Sequence, residues 1–360
     1  MEKPGMSCLE GKRLLVTGGT GSLGQVLVRR LLSGEMGTPA AVVVFSRDEA
    51  KQHFMRMDYA HARAATDEII YDNSRRLLEF RIGDVRDFHS VASVLRGVDV
   101  VFNAAALKQV PTCEYFPFEA VRTNVEGPEN IIRAIQELGL PVSTVVGIST
   151  DKACKPVNVM GMTKALQERV FQQGNMRCPS TRFVCVRYGN VLASRGSVIP
   201  LFLDQIRSGG PVTITTRDMT RFLLSLDDAV DTVFAAVRDA LPGETWIPRA
   251  PSARMTDLAG ALIGGRDIAT VITGIRPGEK IHEILVSEEE AFRTFATGDR
   301  FYAIGSILPE VRGTSRGGEP IAGEYSSAGS LIGPDALCEL LKRNSLMPDM
   351  IEDAGGELLR

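Results

Sequence analysis

The sequence has few cysteines, and their spacing excludes the sites that cysteines usually build. No two of its six cysteines form a C-x-x-C pair; they are Cys8, Cys113, Cys154, Cys178, Cys185 and Cys338. This scatter argues against a structural zinc site and against a disulfide framework. Free thiols are typical of proteins that stay in a reducing compartment.

Long apolar runs and an excess of charge of one sign are also missing. No stretch approaches the roughly 18 uninterrupted apolar residues of a transmembrane helix, so membrane insertion is not expected. The formal net charge is −3, which gives no sign of a nucleic-acid partner or an anionic membrane. The N-terminus has no apolar segment of a secretion signal. These absences predict a soluble, cytoplasmic protein that holds any anionic ligand in a local basic pocket.

The first half of the chain alternates short apolar runs with helical patterns, which is typical of a parallel sheet with crossover helices. Continuous Val, Ile and Leu runs suit strands that are covered on both faces. We predict strands at residues 14–16, 40–45, 77–82, 98–103, 142–149 and 183–188, and helices at residues 22–32, 48–63, 227–238 and 256–262. The pattern therefore predicts an α/β fold: a Rossmann-type doubly wound parallel sheet with a smaller C-terminal substrate-binding lobe.

A glycine-rich turn follows the first predicted strand and opens the first predicted helix. Its three spaced glycines, Gly18, Gly21 and Gly24, permit a tight turn, close approach of the backbone to a pyrophosphate and close packing of helix on strand. The start of the helix offers free N–H groups to the phosphates. Placed between a strand and a helix, the turn predicts a dinucleotide site at Gly18, Thr20, Gly21, Ser22, Leu23 and Gly24.

The end of the second predicted strand indicates which dinucleotide binds. An NAD site places an acid there for the ribose 2′-hydroxyl, whereas an arginine accommodates a 2′-phosphate. Ser46, Arg47 and Lys51 therefore favour NADP over NAD. Asp48 is either the acid of an NAD site or the N-cap of the next helix.

The turn after the third predicted strand is a second candidate contact for the dinucleotide. Asp84 and Val85 lie where an adenine is expected. The Asp84 carboxylate either accepts a hydrogen bond from the adenine amino group or serves only as a turn residue.

Polar residues gather at the end of the strand predicted at 142–149. The carboxyl ends of parallel strands form the usual ligand crevice of such a sheet. Met160 and Lys164 follow, four residues apart, so they share one face of a helix. Each residue alone suits a solvated loop or surface. Together, beside a dinucleotide site, they are predicted to form a catalytic group of Thr150, Asp151, Lys152, Met160 and Lys164. Lys164 is also expected to bond the nicotinamide ribose.

These motifs and their order resemble the extended short-chain dehydrogenase/reductase superfamily, and within it the UDP-N-acetylglucosamine 4,6-dehydratases of bacterial glycan biosynthesis. The resemblance runs from about residue 12 to about residue 327. It is carried by residues 104–111, 123–127, 149–153, 187–191, 194–200, 219–222 and 276–280, which read AAALKQVP, TNVEG, STDKA, RYGNV, SRGSVIP, MTRF and RPGEK.

One position departs from the superfamily pattern. Its catalytic tyrosine is Met160 here, and a thioether has no ionisable proton, so the usual Tyr–Lys pair is absent. In this the chain is similar to capsule-type and bacillosamine-type dehydratases, some of which carry methionine there. The departure leaves open which group takes the proton of the sugar 4-hydroxyl.

The resemblance implies a reaction and its ligands. NADP, or alternatively NAD, is retained and recycled while a UDP-N-acetylhexosamine is oxidised at C4, loses water across C5 and C6, and regains the hydride at C6. Thr150 bonds the 4-hydroxyl, Asp151 protonates the departing 6-hydroxyl, and Lys152 removes the C5 proton if burial and neighbouring charge lower its pKa. A homo-oligomer, dimeric or higher, is implied as well.

The resemblance also assigns further binding residues. Those for the cofactor are Ala104, Ala105, Ala106, Lys108 and Asn124, and those for the substrate are Lys108, Asn190, Arg195, Val198, Arg221, Arg276 and Glu279. No metal is expected, because Glu279, His282 and Glu283 have no second cluster beside them. The expected organisation is an N-terminal extension at 1–11, an NADP-binding Rossmann domain with the catalytic residues at 12–190, a substrate lobe interleaved with the end of the sheet at 191–330, and a C-terminal tail at 331–360.

Three other functions stay open at this point. A 4-epimerase shares the fold and the C4 oxidation, but it has no need of the Asp151–Lys152 pair and would keep the tyrosine. A UDP-N-acetylglucosamine 5,6-dehydratase is the second alternative. The third is an NADP-sensing scaffold with a degenerate site, which Met160 supports and the intact Thr150, Asp151 and Lys152 oppose. The configuration at C5, the nucleotide base and the exact hexosamine are not determined by the sequence.

Overall fold

The apolar runs of the sequence form strands in the computed structural model, which describes residues 7–61, 75–192, 197–312 and 316–353. The strands are β1 (Arg13–Thr17), β2 (Ala41–Ser46), β3 (Leu78–Ile82), β4 (Val100–Asn103), β5 (Thr144–Thr150), β6 (Arg182–Tyr188), β7 (Val212–Ile214), β8 (Thr220–Phe222), β9 (Thr245–Pro248), β10 (Ser252–Arg254), β11 (Thr270–Ile272), β12 (Ile284–Val286), β13 (Thr294–Thr297), β14 (Phe301–Ile304) and β15 (Tyr325–Ser326).

Helices connect these strands and cover the faces of the sheet. The α-helices are α1 (Ser22–Leu32), α2 (Glu49–His61), α3 (Phe88–Val94), α4 (Val110–Tyr115), α5 (Pro117–Val121), α6 (Gly127–Leu138), α7 (Val159–Arg177), α8 (Val198–Arg207), α9 (Leu226–Asp239), α10 (Met255–Ile263), α11 (Glu288–Ala291), α12 (Pro309–Arg312), α13 (Pro334–Arg343) and α14 (Pro348–Asp353). A π-helical turn spans Arg122–Glu126, and a 3₁₀ turn spans Asp151–Ala153. The predicted strands and helices are confirmed, with ends shifted by one or two residues; the predicted end of α2 at residues 62–63 lies outside the described residues.

The central sheet has the strand order β13-β14-β9-β6-β5-β4-β1-β2-β3. The strands from β3 across to β9 run parallel. At the edge, β14 pairs antiparallel with β9, and β13 pairs antiparallel with β14. The chain reverses its winding between β1 and β4, which is where a doubly wound sheet opens a crevice at its carboxyl edge. The predicted Rossmann-type doubly wound sheet is confirmed.

Alternate residues of one strand enter two separate cores. Leu14 and Val16 of β1 pack on one face with Leu27 of α1, whereas Leu15 packs on the other face with Ile131 of α6. All of these side chains are buried. Because helices cover both faces, the strands are apolar throughout instead of alternating with polar residues.

The second half of the chain forms a smaller lobe and also completes the sheet. Its own core includes Phe202 of α8 and Leu258 of α10. Leu337 and Leu341 of α13 are fully buried in that core, so the described part of the predicted tail at 331–360 is folded onto the lobe. At the other end, Leu9 of the predicted extension is 1% exposed and belongs to the core of the large domain. Among the described residues, no helix combines the length and apolarity needed to cross a membrane.

Candidate active site

A cleft of about 840 Å³ opens where the carboxyl ends of the parallel strands meet the smaller lobe. The large domain contributes the loops after β1, β2, β4, β5 and β6, and the smaller lobe contributes Arg221 and residues 276–280 with Glu283. The predicted cofactor residues that line the cleft are Gly18, Thr20, Gly21, Ser22, Leu23, Gly24, Ser46, Arg47, Lys51, Asp84, Val85, Ala104, Ala105, Ala106, Lys108 and Lys164. The fold therefore brings together residues that lie far apart in the sequence.

The other predicted groups share the same cleft, with three exceptions. Among its lining residues are the predicted catalytic Thr150, Asp151, Lys152 and Met160 and the predicted substrate residues Asn190, Arg221, Arg276 and Glu279. Val198 starts α8 and packs against the core of the smaller lobe instead of lining the cleft. Asn124 lies behind the wall, as described below, and Arg195 lies outside the described residues.

The glycine turn after β1 is shaped by close backbone contacts. Gly18 has φ +66°, and a Cβ atom there would lie 2.7 Å from the backbone nitrogen of Ala105. Only glycine accepts both the positive φ and this approach without strain. The turn thus brings the backbone after β1 against the backbone after β4, leaving the N-terminus of α1 open to the cleft.

The end of β2 carries two cations and one capping acid. Asp48 accepts a hydrogen bond from the Lys51 backbone N–H at 2.9 Å, and its other oxygen lies 2.8 Å from Lys51 Nζ. Asp48 is thus the N-cap of α2, the second of the two roles considered for it. Arg47 is half-exposed at the cleft, with Nη1 3.6 Å from Asp84 Oδ2.

Asp84 is held by arginine side chains. Its Oδ2 accepts hydrogen bonds from Arg86 Nε at 2.8 Å and Nη2 at 2.7 Å, and Oδ1 accepts from the Arg86 backbone N–H. The carboxylate is therefore fixed in orientation at the edge of the cleft, with Val85 beside it.

Asn124 fastens the loop after β4 to the helix that carries Met160 and Lys164. Its Oδ1 accepts from the Leu107 backbone N–H, and its Nδ2 donates to the Leu107 carbonyl and to Thr163 Oγ1, all at 2.9–3.0 Å. The side chain is fully buried. Asn124 therefore supports the cleft from behind and is not part of its surface.

Asp151 and Lys152 lie on a tight turn at the end of β5. Thr150 Oγ1 donates to Asp151 Oδ1 at 2.9 Å, and Lys152 Nζ donates to the same oxygen at 3.0 Å. The turn packs directly on the start of α7, because a Cβ atom at Gly161 would lie 2.2 Å from the Lys152 carbonyl oxygen. The sequence thus places a hydroxyl, a carboxyl and an amine in mutual contact at the floor of the cleft.

The amine is shared with a second carboxylate from the smaller lobe. Lys152 Nζ lies 3.4 Å from Glu283 Oε1, and Arg221 Nε lies 3.7 Å from the same oxygen. The Asp151 side chain is completely buried and that of Glu283 is 3% exposed. Burial alone would lower the pKa of Lys152, but Asp151 and Glu283 outweigh it and raise that pKa. The condition set for Lys152 as the base, a pKa lowered by burial and neighbouring charge, is therefore not met, because the neighbouring charges include two carboxylates.

The two carboxyl groups differ from each other. Burial, reinforced by the Glu283 charge, raises the pKa of Asp151 despite the nearby Lys152 ammonium. Burial also acts on Glu283, but Lys152, Arg221 and Lys280 together hold its pKa below the ordinary value. Asp151 is therefore the better proton carrier of the two, and Glu283 the more permanent anion.

Lys164 and Met160 form the wall next to this cluster. Lys164 Nζ donates to the Ile148 carbonyl and to Gln167 Oε1, and burial lowers its pKa to about 8. Met160 is 5% exposed and packs with Cys113 and Ala120. The thioether thus fills this part of the wall with an apolar group.

Several buried polar atoms on the cleft wall have no hydrogen-bond partner among the described residues. They are Asp151 Oδ2, Asn190 Oδ1, Ser197 Oγ, Glu279 Oε2 and Glu283 Oε2. Most of these atoms are acceptors, and buried polar atoms normally have partners. The cleft is therefore suited to a ligand rich in hydroxyl or N–H donors.

Sequence reasoning missed two side chains of the site, Glu283 and Tyr188. Glu283 was considered only as a metal ligand, and its pairing with Lys152 is not visible from local spacing. Tyr188 pairs in register with Thr150 across β5 and β6 and lines the cleft, so its place at the end of a parallel strand was the available signal. Burial raises the pKa of Tyr188, which favours the protonated phenol over the phenolate that could act as a base.

The residues that had been considered for a metal face other groups. Glu283 faces Lys152, and His282 Nδ1 lies 2.9 Å from Thr220 Oγ1. In the described ranges, no three His, Cys, Asp or Glu side chains are grouped so as to hold a metal ion.

Solved structures share this fold. The structure of Pen from Bacillus thuringiensis has a TM-score of 0.83 with 32% identity, covering 94% of this chain and all of that one. DesIV, a dTDP-glucose 4,6-dehydratase from Streptomyces venezuelae, has a TM-score of 0.62 with 23% identity and covers 75% of this chain and 86% of its own. At 23% identity, the likeness to DesIV shows the fold alone.

Sequence relatives cover most of the chain. UDP-glucose 4-epimerase of Rickettsia typhi is 45% identical over 284 residues, which are 78% of this chain and 79% of the relative. The Rickettsia prowazekii protein of the same name is 46% identical over the same shares. These relatives carry the name of an epimerase and not of a dehydratase. The sequence profile of a family described as "Polysaccharide biosynthesis protein" matches residues 14–304, and the chain belongs to that family.

Proposed function

We propose that the protein is a lyase that removes water from a nucleotide sugar, converting UDP-N-acetylglucosamine into a UDP-4-keto-6-deoxy-N-acetylhexosamine. The observation that carries this proposal is the contact between the buried Asp151 carboxyl and the Lys152 amine at the floor of the cleft. Elimination of water needs a base at C5 and an acid at O6 at the same time. A carboxyl with a raised pKa and an amine 3.0 Å away are the groups that this chemistry requires.

The glycine turn fits a dinucleotide. The positive φ at Gly18 and its contact with Ala105 leave a backbone cradle at the N-terminus of α1, which suits a pyrophosphate. Ser46 and Arg47 would hold the adenosine ribose, and Lys164 would hold the nicotinamide ribose. A nicotinamide cofactor bound there supplies a hydride acceptor for C4 and a hydride donor for C6.

Thr150 and Asp151 provide a path for the proton of the sugar 4-hydroxyl. Thr150 Oγ1 donates to Asp151 Oδ1, so a proton taken by Thr150 from O4 is matched by one passed to Asp151. Burial favours the protonated carboxyl. Asp151 then gives this proton to O6 as the C6–O6 bond breaks, and water leaves. This path assigns the first proton transfer, which Met160 cannot perform.

Lys152 completes the proton cycle in its neutral form. The amine takes the C5 proton while the C5–H electrons form the C5=C6 bond, and the resulting ammonium later returns that proton to C5. At the end Asp151 is again ionised and Lys152 neutral, so the cycle closes. Because two carboxylates raise the pKa of Lys152, turnover is expected to rise with pH as the neutral amine becomes populated.

The substrate would be held by the two lobes together. Arg276, Arg221 and Lys280 bring positive charge to the cleft from the smaller lobe, and guanidinium groups suit a diphosphate. The unpartnered acceptors Asn190 Oδ1 and Glu279 Oε2 would receive hydroxyl donors of a sugar or ribose.

A 4-epimerase is the second candidate, because the Rickettsia relatives carry that name. Incubation of the purified protein with UDP-N-acetylglucosamine, followed by mass spectrometry and NMR in heavy water, distinguishes the two. We expect a product lighter by one water, with deuterium at C5. An unchanged mass with inverted C4 would identify an epimerase and contradict the proposal. A product that lacks water but keeps a C5=C6 double bond would indicate the 5,6-dehydratase.

NADP is proposed as the cofactor, because the acid at the end of β2 is engaged by Lys51 and Arg47 faces the cleft. Arg47→Ser removes a cation expected to bind the 2′-phosphate. A hydrogen bond to a charged group contributes about 1.5–3 kcal/mol, so the Kd for NADP should rise about 10- to 100-fold while the Kd for NAD stays unchanged.

Isothermal titration calorimetry with both dinucleotides measures this difference. Arg81→Ser is the matched control, since Arg81 is an exposed arginine of the neighbouring strand and does not line the cleft. Equal weakening of NADP and NAD by Arg47→Ser would show that Arg47 does not select the 2′-phosphate.

We also propose a homo-oligomer. The support is a set of large apolar side chains exposed on α4, α5 and α7: Tyr115, Phe116, Phe118, Met162 and Leu166. Exposed aromatic and aliphatic residues of this density are typical of surfaces that bind another protein chain.

A further inference from the structure

We propose that Glu283 is a positioning residue: it anchors the Lys152 amine from the opposite lobe and controls when that amine can take a proton from the sugar. The inference rests on the proposed dehydration and adds to it a residue that the motif at the end of β5 does not contain. In this role Glu283 acts through Lys152 and not directly on the sugar or the cofactor.

Placement of the Glu283 carboxylate is fixed by the smaller lobe. The Glu283 backbone N–H donates to Ser327 Oγ at 2.9 Å, and its carbonyl accepts from the Ser327 backbone N–H at 2.8 Å. Both bonds lie immediately before β12, in the segment that pairs with β15. With its backbone held on both sides, Glu283 presents Oε1 to Lys152 in a defined position.

The segment that begins with the Asp151–Ala153 turn is joined to the smaller lobe by several polar contacts near Glu283. Lys280 Nζ donates to the Cys154 carbonyl, and Asn158 Nδ2 donates to the Gly278 carbonyl at 2.8 Å. The Lys152–Glu283 contact lies between the same two segments. Of these three contacts, only the last involves a side chain to which the proposed mechanism assigns a proton transfer.

The charge of Glu283 affects how readily the Lys152 amine loses its proton. The groups that act on Lys152 are Asp151, Glu283 and Arg221, and the charge of Lys280 interacts with Asp151, Glu283 and Lys152. Two carboxylates against one amine favour the ammonium, although burial opposes it. Removing one of them leaves burial and Arg221 less opposed, so the amine should lose its proton at lower pH.

Glu283→Gln keeps the shape of the side chain and removes its charge. If neutral Lys152 is the form that turns over, the rising, acidic limb of the pH–kcat profile reports the Lys152 pKa in the substrate complex. We expect this limb to move to lower pH by about one unit or more in Glu283→Gln, since a charge at this distance typically shifts a pKa by about one to three units. KM should change less than kcat, and Glu283→Asp should move the limb back toward its original position.

Glu324→Gln is the matched control. Glu324 is also a carboxylate of the smaller lobe that pairs with a lysine, with Oε2 2.8 Å from Lys155 Nζ just beyond the Asp151–Ala153 turn, but it does not line the cleft. Its removal should leave the limb where it is.

A second measurement does not depend on any reaction. In protein labelled with ¹⁵N at lysine Nζ, the Lys152 resonance is assigned by its loss in Lys152→Arg and titrated in the wild type and in Glu283→Gln. A fall of the Lys152 pKa in Glu283→Gln supports the inference whether or not the wild type acts on UDP-N-acetylglucosamine. Failure of the wild type to convert this sugar would overturn the proposed function alone. An unmoved Lys152 titration overturns the inference, as does a kcat that collapses at every pH without a shift of the limb, since that result would make Glu283 the base itself.

Discussion

Lys152→Met is expected to lower the rate of water loss from UDP-N-acetylglucosamine by about 10²–10⁴-fold, the usual contribution of a positioned acid–base group. Methionine keeps the length of the side chain and its packing but carries no proton. The C5 proton would then stay in place, so the sugar recovered from a reaction in heavy water should be unreacted and carry no deuterium at C5. Mass spectrometry of the product and NMR of the recovered sugar measure both effects.

The effect of Lys152→Met should be confined to chemistry. Bound dinucleotide, measured in the supernatant after the protein is precipitated, should match the wild type, because the ion pairs of Lys152 are with Asp151 and Glu283. Lys155→Met is the matched control: the same substitution three residues along the chain removes a lysine that pairs with Glu324 outside the cleft. Full dehydration by Lys152→Met would refute the assigned role.

Asp151→Asn belongs to the same experiment, since it removes the proton carrier and leaves the shape unchanged. Its loss should be of the same order, because an amide cannot deliver a proton to O6. A variant with both substitutions should lose little more than either single one, since residues that act as one unit are not additive.

Arg187→Met is expected to lower the free energy of unfolding by about 3–5 kcal/mol, the cost of breaking a buried ion pair by removing one partner. Arg187 of β6 donates to Glu168 of α7 at 2.6 and 3.0 Å and to Glu290 of α11 at 2.7 and 3.0 Å. Its side chain is 3% exposed. Without it, two buried carboxylates from the two lobes face each other with no guanidinium between them.

The pH dependence of this loss follows from Glu290. Burial opposes its ionisation, yet Arg187 and its other partners lower the pKa of Glu290 from 4.5 to about 2. A depressed folded-state pKa contributes stability that is present above pH 4.5 and lost as the pH falls toward 2. The difference in the free energy of unfolding between wild type and Arg187→Met should therefore be largest at neutral pH and decrease as the pH falls from 4.5 toward 2.

Urea unfolding at neutral and acidic pH measures the difference. Arg238→Met serves as the control, because its pair with Asp239 is about 40% exposed and such pairs contribute about 1 kcal/mol or less. Equal losses in the two variants would show that the buried network around Arg187 has no special role in stability.

Local signals in the sequence were sufficient for the large domain. The strands were predicted from runs of apolar residues, and the structure contains them. The glycine turn and the sequence Thr150-Asp151-Lys152 are equally local signals, and the structure places both at the carboxyl edge of the sheet. Contacts between distant segments were not predictable in this way. Asn124 was assigned to the cofactor surface, but its hydrogen bonds to Leu107 and Thr163 place it behind that surface.

The sequence by itself determined the type of sheet, the position of the dinucleotide cradle and the presence of an acid and an amine side by side. The direction in which the pKa of that amine shifts depends also on tertiary structure. Burial of Lys152 argued for a lowered pKa, whereas Asp151, together with Glu283 from the smaller lobe, reverses that direction. The reason is physical: a pKa depends on every charge within a few ångströms, and chain neighbours are only some of those charges.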